Sequence, residues 1–169
     1  MNKVVHFNAN LQKLASSFSC GNNYLDNFLK SSEALDDTIG QTYVLLSNDG
    51  KEILGYFNIT VGSVDIIDSD LRYRSGGSVH VHAFAIAQAY QGWTEPTLNI
   101  HLSDVLLEEC FQIARDVQKN VGFAYITLSS TEAGKQFYVR NGFAALDDDM
   151  IFSVDKTDFQ CTNMYIEIQ

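Results

Sequence analysis

The sequence predicts an α/β fold in which helices flank a mixed, largely antiparallel sheet. Three observations predict it: apolar runs of strand length, an Asp-Gly turn between two of them, and a helical period that begins at Leu102. The chain has 169 residues, 46% of them hydrophobic, which is the size and apolar content of one folded domain. We therefore expect residues 1–169 to form a single domain.

The N-terminal half predicts one helix followed by a β-hairpin. Asn22-Asn23 can cap a helix whose apolar residues share one face. The apolar runs Gln41–Leu46 and Ile53–Val61 predict two strands, and Asn48-Asp49-Gly50 between them predicts a tight turn, because both central residues of a type I′ turn need a positive φ. The small and polar residues of Gly62–Gly77 predict a loop.

The middle of the chain predicts two strands separated by a helix. Ser78–Ala87 is dense in apolar residues and predicts the third strand. From Leu102 onwards, apolar residues recur at i, i+3 and i+4, which places one apolar stripe on a helix. Thr94–Ile100 is interpreted as an insertion before this helix, and Phe123–Leu128 predicts a short buried strand after it.

The C-terminal part predicts a helix and a closing hairpin. Ser129 and Glu132 have the spacing of a capping box, in which a hydroxyl and a carboxylate satisfy the first free amides of a helix. Asn141-Gly142 ends that helix, because glycine adopts the left-handed conformation needed after the last turn. Met150–Val154 and Asn163–Ile168 predict two paired strands.

The charge and the cysteines exclude several function classes. The net charge is −10, with 11 Lys and Arg against 21 Asp and Glu, so nucleic-acid binding is disfavoured and a basic small molecule or protein tail fits better. The three cysteines, Cys20, Cys110 and Cys161, lie far apart, so we expect neither a disulfide nor a metal site. Without a signal-like start or an apolar run of membrane length, we expect a cytoplasmic protein with no membrane partner.

Several stretches resemble the GNAT superfamily of N-acetyltransferases. Phe137–Phe143, Phe-Tyr-Val-Arg-Asn-Gly-Phe, is similar to the family's FYxxxGF signature. Phe84-Ala85-Ile86 followed by Tyr90-Gln91-Gly92 is similar to its central strand and the start of its coenzyme A loop. The helix from Leu102 is placed like the family's pyrophosphate-binding helix, and Phe18–Leu29 resembles the branch that includes toxin–antitoxin acetyltransferases. The resemblance therefore implies a GNAT-like sheet and acetyl-CoA as co-substrate.

The resemblance also implies roles for individual residues. Tyr138 would donate a proton to the departing thiolate, since a phenol with a reference pKa of about 10 is protonated at neutral pH. His80 and His82 lie on the same face of the strand. From that face a neutral His82 could accept the proton of the attacking amine. The residues expected to contact the cofactor lie on the strand, the loop and the two helix starts: Ala85, Ile86, Gln91, Gly92, Ser103 and Thr131.

The loop after Gln91 departs from the family pattern. The family expects Q/RxxGxG/A, but Gly92 is followed by Trp-Thr-Glu-Pro, so the later glycines that let amides approach a diphosphate are replaced. Glu95 and Asp104 add negative charge close to the same place. These departures keep open a second class of function, a GNAT-like binding or regulatory module without catalysis.

The acceptor and the partners stay open at this stage. An enzyme of this type would acetylate a primary amine, and the net charge favours a small amine or a protein amine. The toxin branch implies instead the amino group of an aminoacyl-tRNA, together with an antitoxin partner. The sequence leaves open whether the chain forms a homodimer.

Overall fold

A computed structural model describes residues 3–67, 69–70, 73–96, 99–152 and 160–168. The described strands are, in chain order, β1 Lys3–His6, β2 Gln41–Leu46, β3 Ile53–Ile67, β4 Tyr73–Ile86, β5 Thr94–Glu95, β6 Ile100–His101, β7 Tyr125–Ser130, β8 Ala144–Ala145, β9 Met150–Phe152 and β10 Thr162–Glu167. The described α-helices are α1 Gln12–Ala15, α2 Asn23–Lys30, α3 Leu102–Gln118 and α4 Glu132–Arg140. Short 3₁₀ turns cover Ser32–Leu35 and Gln88–Tyr90.

The chain divides into two compact units. One comprises residues 1–59 and 82–113, and the other comprises residues 60–81 and 114–169. Each boundary lies within a regular element, so β3, β4 and α3 each contribute residues to both units.

The first unit contains four neighbouring strands in the order β1-β2-β3-β4. β1 pairs antiparallel with β2, and β2 pairs antiparallel with β3. The predicted type I′ turn between β2 and β3 is wrong, because Gly50 has a φ of +69° but Asp49 has no positive φ. Aromatic residues from β3, α2 and the segment before α2 meet here: the ring of Tyr56 lies 5.5 Å from that of Phe18 and 6.2 Å from that of Phe28. The Tyr56 hydroxyl donates to the Leu25 carbonyl at 2.7 Å, which ties α2 to the sheet.

The second unit contains the strand order β9-β3-β4-β7-β10-β8. β4 and β7 run parallel from the Ser78–Tyr125 pair, whereas the β7–β10, β8–β10 and β3–β9 pairs are antiparallel. His80 Nδ1 and Thr127 Oγ1 lie 2.9 Å apart across β4 and β7, and both residues are buried. The mixed, mostly antiparallel sheet confirms the predicted fold class.

The predicted loop Gly62–Gly77 is wrong, because β3 continues to Ile67 and β4 begins at Tyr73. Its glycines lie where neighbouring atoms come close. A Cβ added to Gly62 would lie 2.9 Å from Ser78 Oγ, and one added to Gly77 would lie 3.2 Å from the Gly122 carbonyl oxygen. In this segment glycine therefore allows close packing of strands and does not mark a loop.

Two further predictions need correction, and a third segment gains structure. Met150–Val154 and Asn163–Ile168 do not pair as a hairpin, because β9 pairs with β3 while β10 pairs with β7 and β8; Val154 lies outside the described residues. Ser129 is not the cap of α4, since it lies inside β7 and Thr131 caps the helix. The segment interpreted as an insertion before α3 contains β5 and β6, which pair antiparallel.

None of the described helices is long and apolar enough to cross a membrane.

We expect Gly55→Ala in β3 to destabilise the protein. A Cβ there would lie 2.9 Å from the Ala85 carbonyl oxygen and 2.8 Å from Ile86 Cδ1, so the backbone of β4 would have to shift. The cost should be about 1–3 kcal/mol in the free energy of unfolding, measured by urea denaturation. The control is Gly122→Ala, whose Cβ would meet nothing within 4 Å. Equal stability of the two variants would contradict the close approach at Gly55.

Candidate active site

The predicted site residues fall into two groups, and each group belongs to one compact unit. His82, Ala85, Ile86, Gln91, Gly92 and Ser103 belong to the first unit, and Thr131 and Tyr138 belong to the second.

His82 lies half-buried on β4, and its ring packs against that of Phe28 from α2 at a centroid distance of 5.3 Å. Burial lowers the pKa of His82 from its ordinary value of 6.5, although the negative charge of Glu33 acts in the opposite direction. A lowered pKa keeps the imidazole neutral near pH 7, which is the form able to accept a proton.

The end of β4 carries the two residues predicted to contact the pantetheine arm. Ala85 and Ile86 are both buried, and Gly55 on β3 leaves room for the Ala85 carbonyl. The pairing with β3 continues at least to Ala87, whose N–H donates to the Leu54 carbonyl at 2.9 Å. This part of β4 is therefore held on the β3 side by backbone hydrogen bonds.

Gln91 and Gly92 form the turn that follows β4. The Gln91 side-chain amide donates to the Ile86 carbonyl at 3.1 Å and to the Cys20 carbonyl at 2.7 Å. Gly92 has a φ of +73°, and a Cβ there would meet nothing within 4 Å, so its backbone is open on that side. The glycine supplies the left-handed conformation that turns the chain.

A small hairpin follows this turn where the family pattern has its later glycines. The hairpin pairs Thr94 with His101 and Glu95 with Ile100, and α3 begins at the next residue. The first amide of α3, Leu102 N–H, donates to the Trp93 carbonyl at 3.1 Å. One of the amides that a helix N-terminus would offer to an anion is therefore already bound by the backbone. Ser103 is half-buried in the first turn of α3.

In the second unit, Tyr138 is fixed by the end of α4. Gly142 has a φ of +91°, its N–H donates to the Val139 carbonyl at 3.0 Å, and Phe143 N–H donates to the Tyr138 carbonyl at 3.0 Å. This is the Schellman arrangement, which normally brings together two apolar side chains from either side of the glycine. Here they are the rings of Tyr138 and Phe143, 5.5 Å apart and nearly perpendicular.

The Tyr138 side chain is 8% exposed and lies between two aromatic rings. Its ring is 5.0 Å from that of Phe137 in addition to its contact with Phe143. A Cβ added to Gly134, one turn earlier in α4, would lie 3.5 Å from Tyr138 Cε2. Because Gly134 has no side chain, the helix leaves space beside the edge of the phenol ring.

Thr131 is the N-cap of α4 and was predicted to contact the cofactor. Its hydroxyl accepts a hydrogen bond from Gly134 N–H at 3.3 Å, so the side chain satisfies one of the first free amides of the helix. The residue is exposed, and a contact with a cofactor stays a prediction.

Two residues beside Tyr138 were not among the predicted site residues: Phe143, whose ring packs against it, and Gly134, which lies near the edge of its ring. The spacing of Tyr138, Gly142 and Phe143 is itself the signal of a Schellman arrangement with its apolar contact. The role of Gly134 had no comparable signal, because it depends on the orientation of the Tyr138 ring.

Solved structures share this fold over nearly the whole chain, although no family model matches the sequence. The complex AtaTR bound with acetyl-CoA matches with a TM-score of 0.76 and 16% identity, over 98% of this chain and 93% of that chain. A tyrosine-to-phenylalanine variant of KacT matches with a TM-score of 0.75 and 20% identity, over 98% and 94%. AtaT complexed with acetyl-methionyl-tRNAfMet matches with a TM-score of 0.70 and 19% identity, over 90% and 94%.

The chain has the fold of the toxins AtaT and KacT. The fold that the resemblance implied is therefore confirmed. Identities of 16–20% carry this fold and leave the chemistry to be argued from the residues of this chain.

We expect protonation of His82 to destabilise the folded protein. The unfolded chain keeps the ordinary pKa and binds the proton more readily, so stability is lost as the pH falls through about 6.5. His82→Gln removes this contribution, so the variant should lose less stability than the wild type between about pH 7.5 and about pH 5. Urea unfolding at both pH values measures the difference, and an NMR titration placing the pKa of His82 above 6.5 would contradict the expectation.

Proposed function

We propose that this protein is an acetyl-CoA-dependent N-acetyltransferase that transfers the acetyl group to a primary amine by direct attack. The observation that carries the proposal is the fold shared with AtaTR bound with acetyl-CoA over 98% of this chain. It is supported by Tyr138, the hydroxyl-bearing residue of the signature stretch, which the end of α4 holds in one orientation. A fixed proton donor is what thioester aminolysis requires.

The proposed reaction balances with two residues of this chain. The amine nitrogen attacks the thioester carbonyl carbon, a C–N bond forms, and the C–S bond breaks. The departing thiolate takes the phenolic proton of Tyr138, while neutral His82 takes the proton that the amine loses. The lowered pKa of His82 supports its role as the base, because the residue is then unprotonated near neutral pH.

Two acceptor classes compete, and different observations favour them. AtaT has been solved in complex with acetyl-methionyl-tRNAfMet, so the shared fold favours the amino group of an aminoacyl-tRNA. The net charge of −10 favours a small amine or a protein amine, since it opposes contact with RNA phosphates. We place the aminoacyl-tRNA first, because the acceptor stem of a tRNA contacts only part of a protein surface. The charge of that part can differ from the net charge of the chain. An antitoxin partner accompanies this proposal, as AtaTR and KacTA are toxin–antitoxin complexes.

A second candidate is a binding or regulatory module without catalysis. The hairpin before α3 favours it, because the Trp93 carbonyl already binds the Leu102 amide where a diphosphate would be expected. Glu95 and Asp104 add carboxylates to the same segment. The two candidates differ in one property that can be measured: only the enzyme transfers an acetyl group.

Tyr138→Phe tests the proton donor. We expect kcat to fall by about 10²–10⁴-fold, because general acid catalysis is lost, while acetyl-CoA binding stays within about threefold of the wild type. Binding can be followed by the fluorescence of Trp93, the only tryptophan of the chain, which is 38% exposed and adjacent to Gly92. The matched control is Tyr165→Phe, which removes a phenol that donates to Asp147. An unchanged kcat in Tyr138→Phe would remove Tyr138 from the mechanism.

The wild-type measurement also separates enzyme from module. Binding of acetyl-CoA without transfer to any amine would favour the module. If millimolar acetyl-CoA changes neither the Trp93 fluorescence nor the melting temperature, the acetyltransferase proposal fails.

The acceptor is tested by competition between amines. With radiolabelled acetyl-CoA, we expect transfer to a mixture of aminoacyl-tRNAs to exceed transfer to spermidine or to a lysine-containing peptide by at least about tenfold in kcat/KM. Transfer to tRNA should weaken as salt rises, because phosphate contacts release counterions. Uncharged tRNA is the control, since it lacks the amine. Preferential labelling of spermidine or the peptide would instead select the small-amine or protein-amine acceptor.

A further inference from the structure

The Gln91 side chain joins two backbone segments that are far apart in the sequence. Its amide nitrogen donates to the Cys20 carbonyl at 2.7 Å and to the Ile86 carbonyl at 3.1 Å. The Cys20 contact spans 71 positions of the chain, from the segment before α2 to the turn after β4. Both N–H groups of the Gln91 side-chain amide thus donate to backbone carbonyls. A phosphate contact by the same nitrogen would break one of these hydrogen bonds.

Asp26 binds the backbone N–H of Cys20, whose carbonyl is bound by Gln91. Its carboxylate accepts from Cys20 N–H at 2.7 Å and from Ser19 Oγ at 3.2 Å, and the residue is only 7% exposed. Burial alone would raise the pKa of Asp26, but the hydrogen bonds from Cys20 and Ser19 outweigh it and lower the pKa. The carboxylate is therefore ionised near neutral pH and makes strong, charge-assisted bonds.

Neighbouring contacts restrict the same segment. Gly21 follows Cys20 with a φ of +85°, and Gln88 N–H donates to the Ser19 carbonyl at 2.8 Å. The segment before α2 is thus joined to the turn after β4 at both Ser19 and Cys20. We call the set formed by Asp26, Cys20, Gln91 and Ile86 the Cys20 clamp.

We propose that Gln91 and Asp26 are positioning residues for acetyl transfer, which hold Cys20 from both sides and thereby fix the end of β4 at Ile86. The inference rests on the proposed function, because that strand end is the one expected to carry acetyl-CoA. In this proposal the Gln91 side chain binds backbone carbonyls of the protein itself, whereas the sequence predicted that Gln91 contacts the cofactor directly. The clamp also joins the strand end to the start of α2, so a change at Asp26 reaches Ile86 through three hydrogen bonds: Asp26 to Cys20, Cys20 to Gln91, and Gln91 to Ile86.

The test compares three variants at Gln91 and its neighbour. Gln91→Glu keeps the shape of the side chain but directs carboxylate oxygens at two carbonyls, whereas Gln91→Arg keeps N–H donors. Gln88→Glu introduces the same charge three residues earlier. The hydrogen bond from Gln88 N–H to the Ser19 carbonyl involves only backbone atoms, so this substitution keeps it. All variants are made in a Cys161→Ser background, so that the half-buried Cys20 and the fully buried Cys110 are the remaining thiols.

Two readouts are needed, and one of them requires no acetyl-CoA. The rate at which a maleimide labels Cys20 reports the opening of the clamp. Burial, with a smaller contribution from Asp26, raises the pKa of Cys20 to about 11, so labelling is compared at one pH and only among variants that keep Asp26. The second readout is steady-state kinetics with acetyl-CoA, which separates KM from kcat.

We expect Gln91→Glu to label faster and to raise the KM for acetyl-CoA by about tenfold, with kcat within about twofold. Gln91→Arg and Gln88→Glu should both keep the labelling rate of Cys20 and the KM for acetyl-CoA close to those of the parent. Asp26→Asn should also raise KM, and combining it with Gln91→Glu should add less than the product of the single effects, because both act through Cys20. If Gln91→Glu does not fold, Gln91→Met, which has no donor, replaces it.

Other results overturn the proposal in distinguishable ways. Parent-like labelling of Gln91→Glu means that the clamp does not hold Cys20, whatever the kinetics. Faster labelling with an unchanged KM means that the clamp exists but does not position the cofactor strand. If the parent protein itself neither binds acetyl-CoA nor transfers acetyl groups, the proposed function fails. In that case faster labelling shows a purely structural clamp, and the positioning role is rejected with the function.

Discussion

The hydrogen-bonded pairing of β3 with β4 is the interaction on which the rest of the structure depends. Both strands contribute residues to both compact units, so each unit is built on a part of the same pair. Buried backbone groups must find partners, and each of these strands supplies them to the other. Gly55 and Gly62 of β3 lie where β4 comes close, with atoms of β4 within 3 Å of an added Cβ. The residues expected to contact the cofactor on β4 inherit their positions from this pairing.

The elements with local signals were predicted from the sequence. Asn22 caps α2 as expected, and α3 begins at Leu102. In both cases a few adjacent residues determine the outcome through capping or periodicity. Most of the errors concern features fixed by distant partners. The segment predicted as a loop, Gly62–Gly77, contains parts of β3 and β4, and β9 pairs with β3 across more than 80 positions of sequence.

The candidate site divides in the same way. Tyr138 could be named from the signature stretch, and the structure adds a physical reason for its spacing: the carbonyl of Tyr138 and the ring of Phe143 complete the end of α4 around Gly142. The partners of Gln91 could not be predicted, because Cys20 lies 71 positions away and nothing local announces the contact. The pKa of His82 likewise depends on burial against Phe28, which belongs to another element.

The hairpin between Gly92 and α3 has a consequence for how such a protein would behave in a living cell. Where a helix start offers all of its amides, a ligand with a diphosphate gains them without losing other bonds. Here the Leu102 amide is already satisfied by Trp93, so a diphosphate that reaches it has to displace a carbonyl. Such an exchange gives little net free energy, which favours fast release and modest affinity. In the proposed enzyme such a site would release acetyl-CoA readily, so turnover would follow the cell's supply of acetyl-CoA and hence its nutritional state.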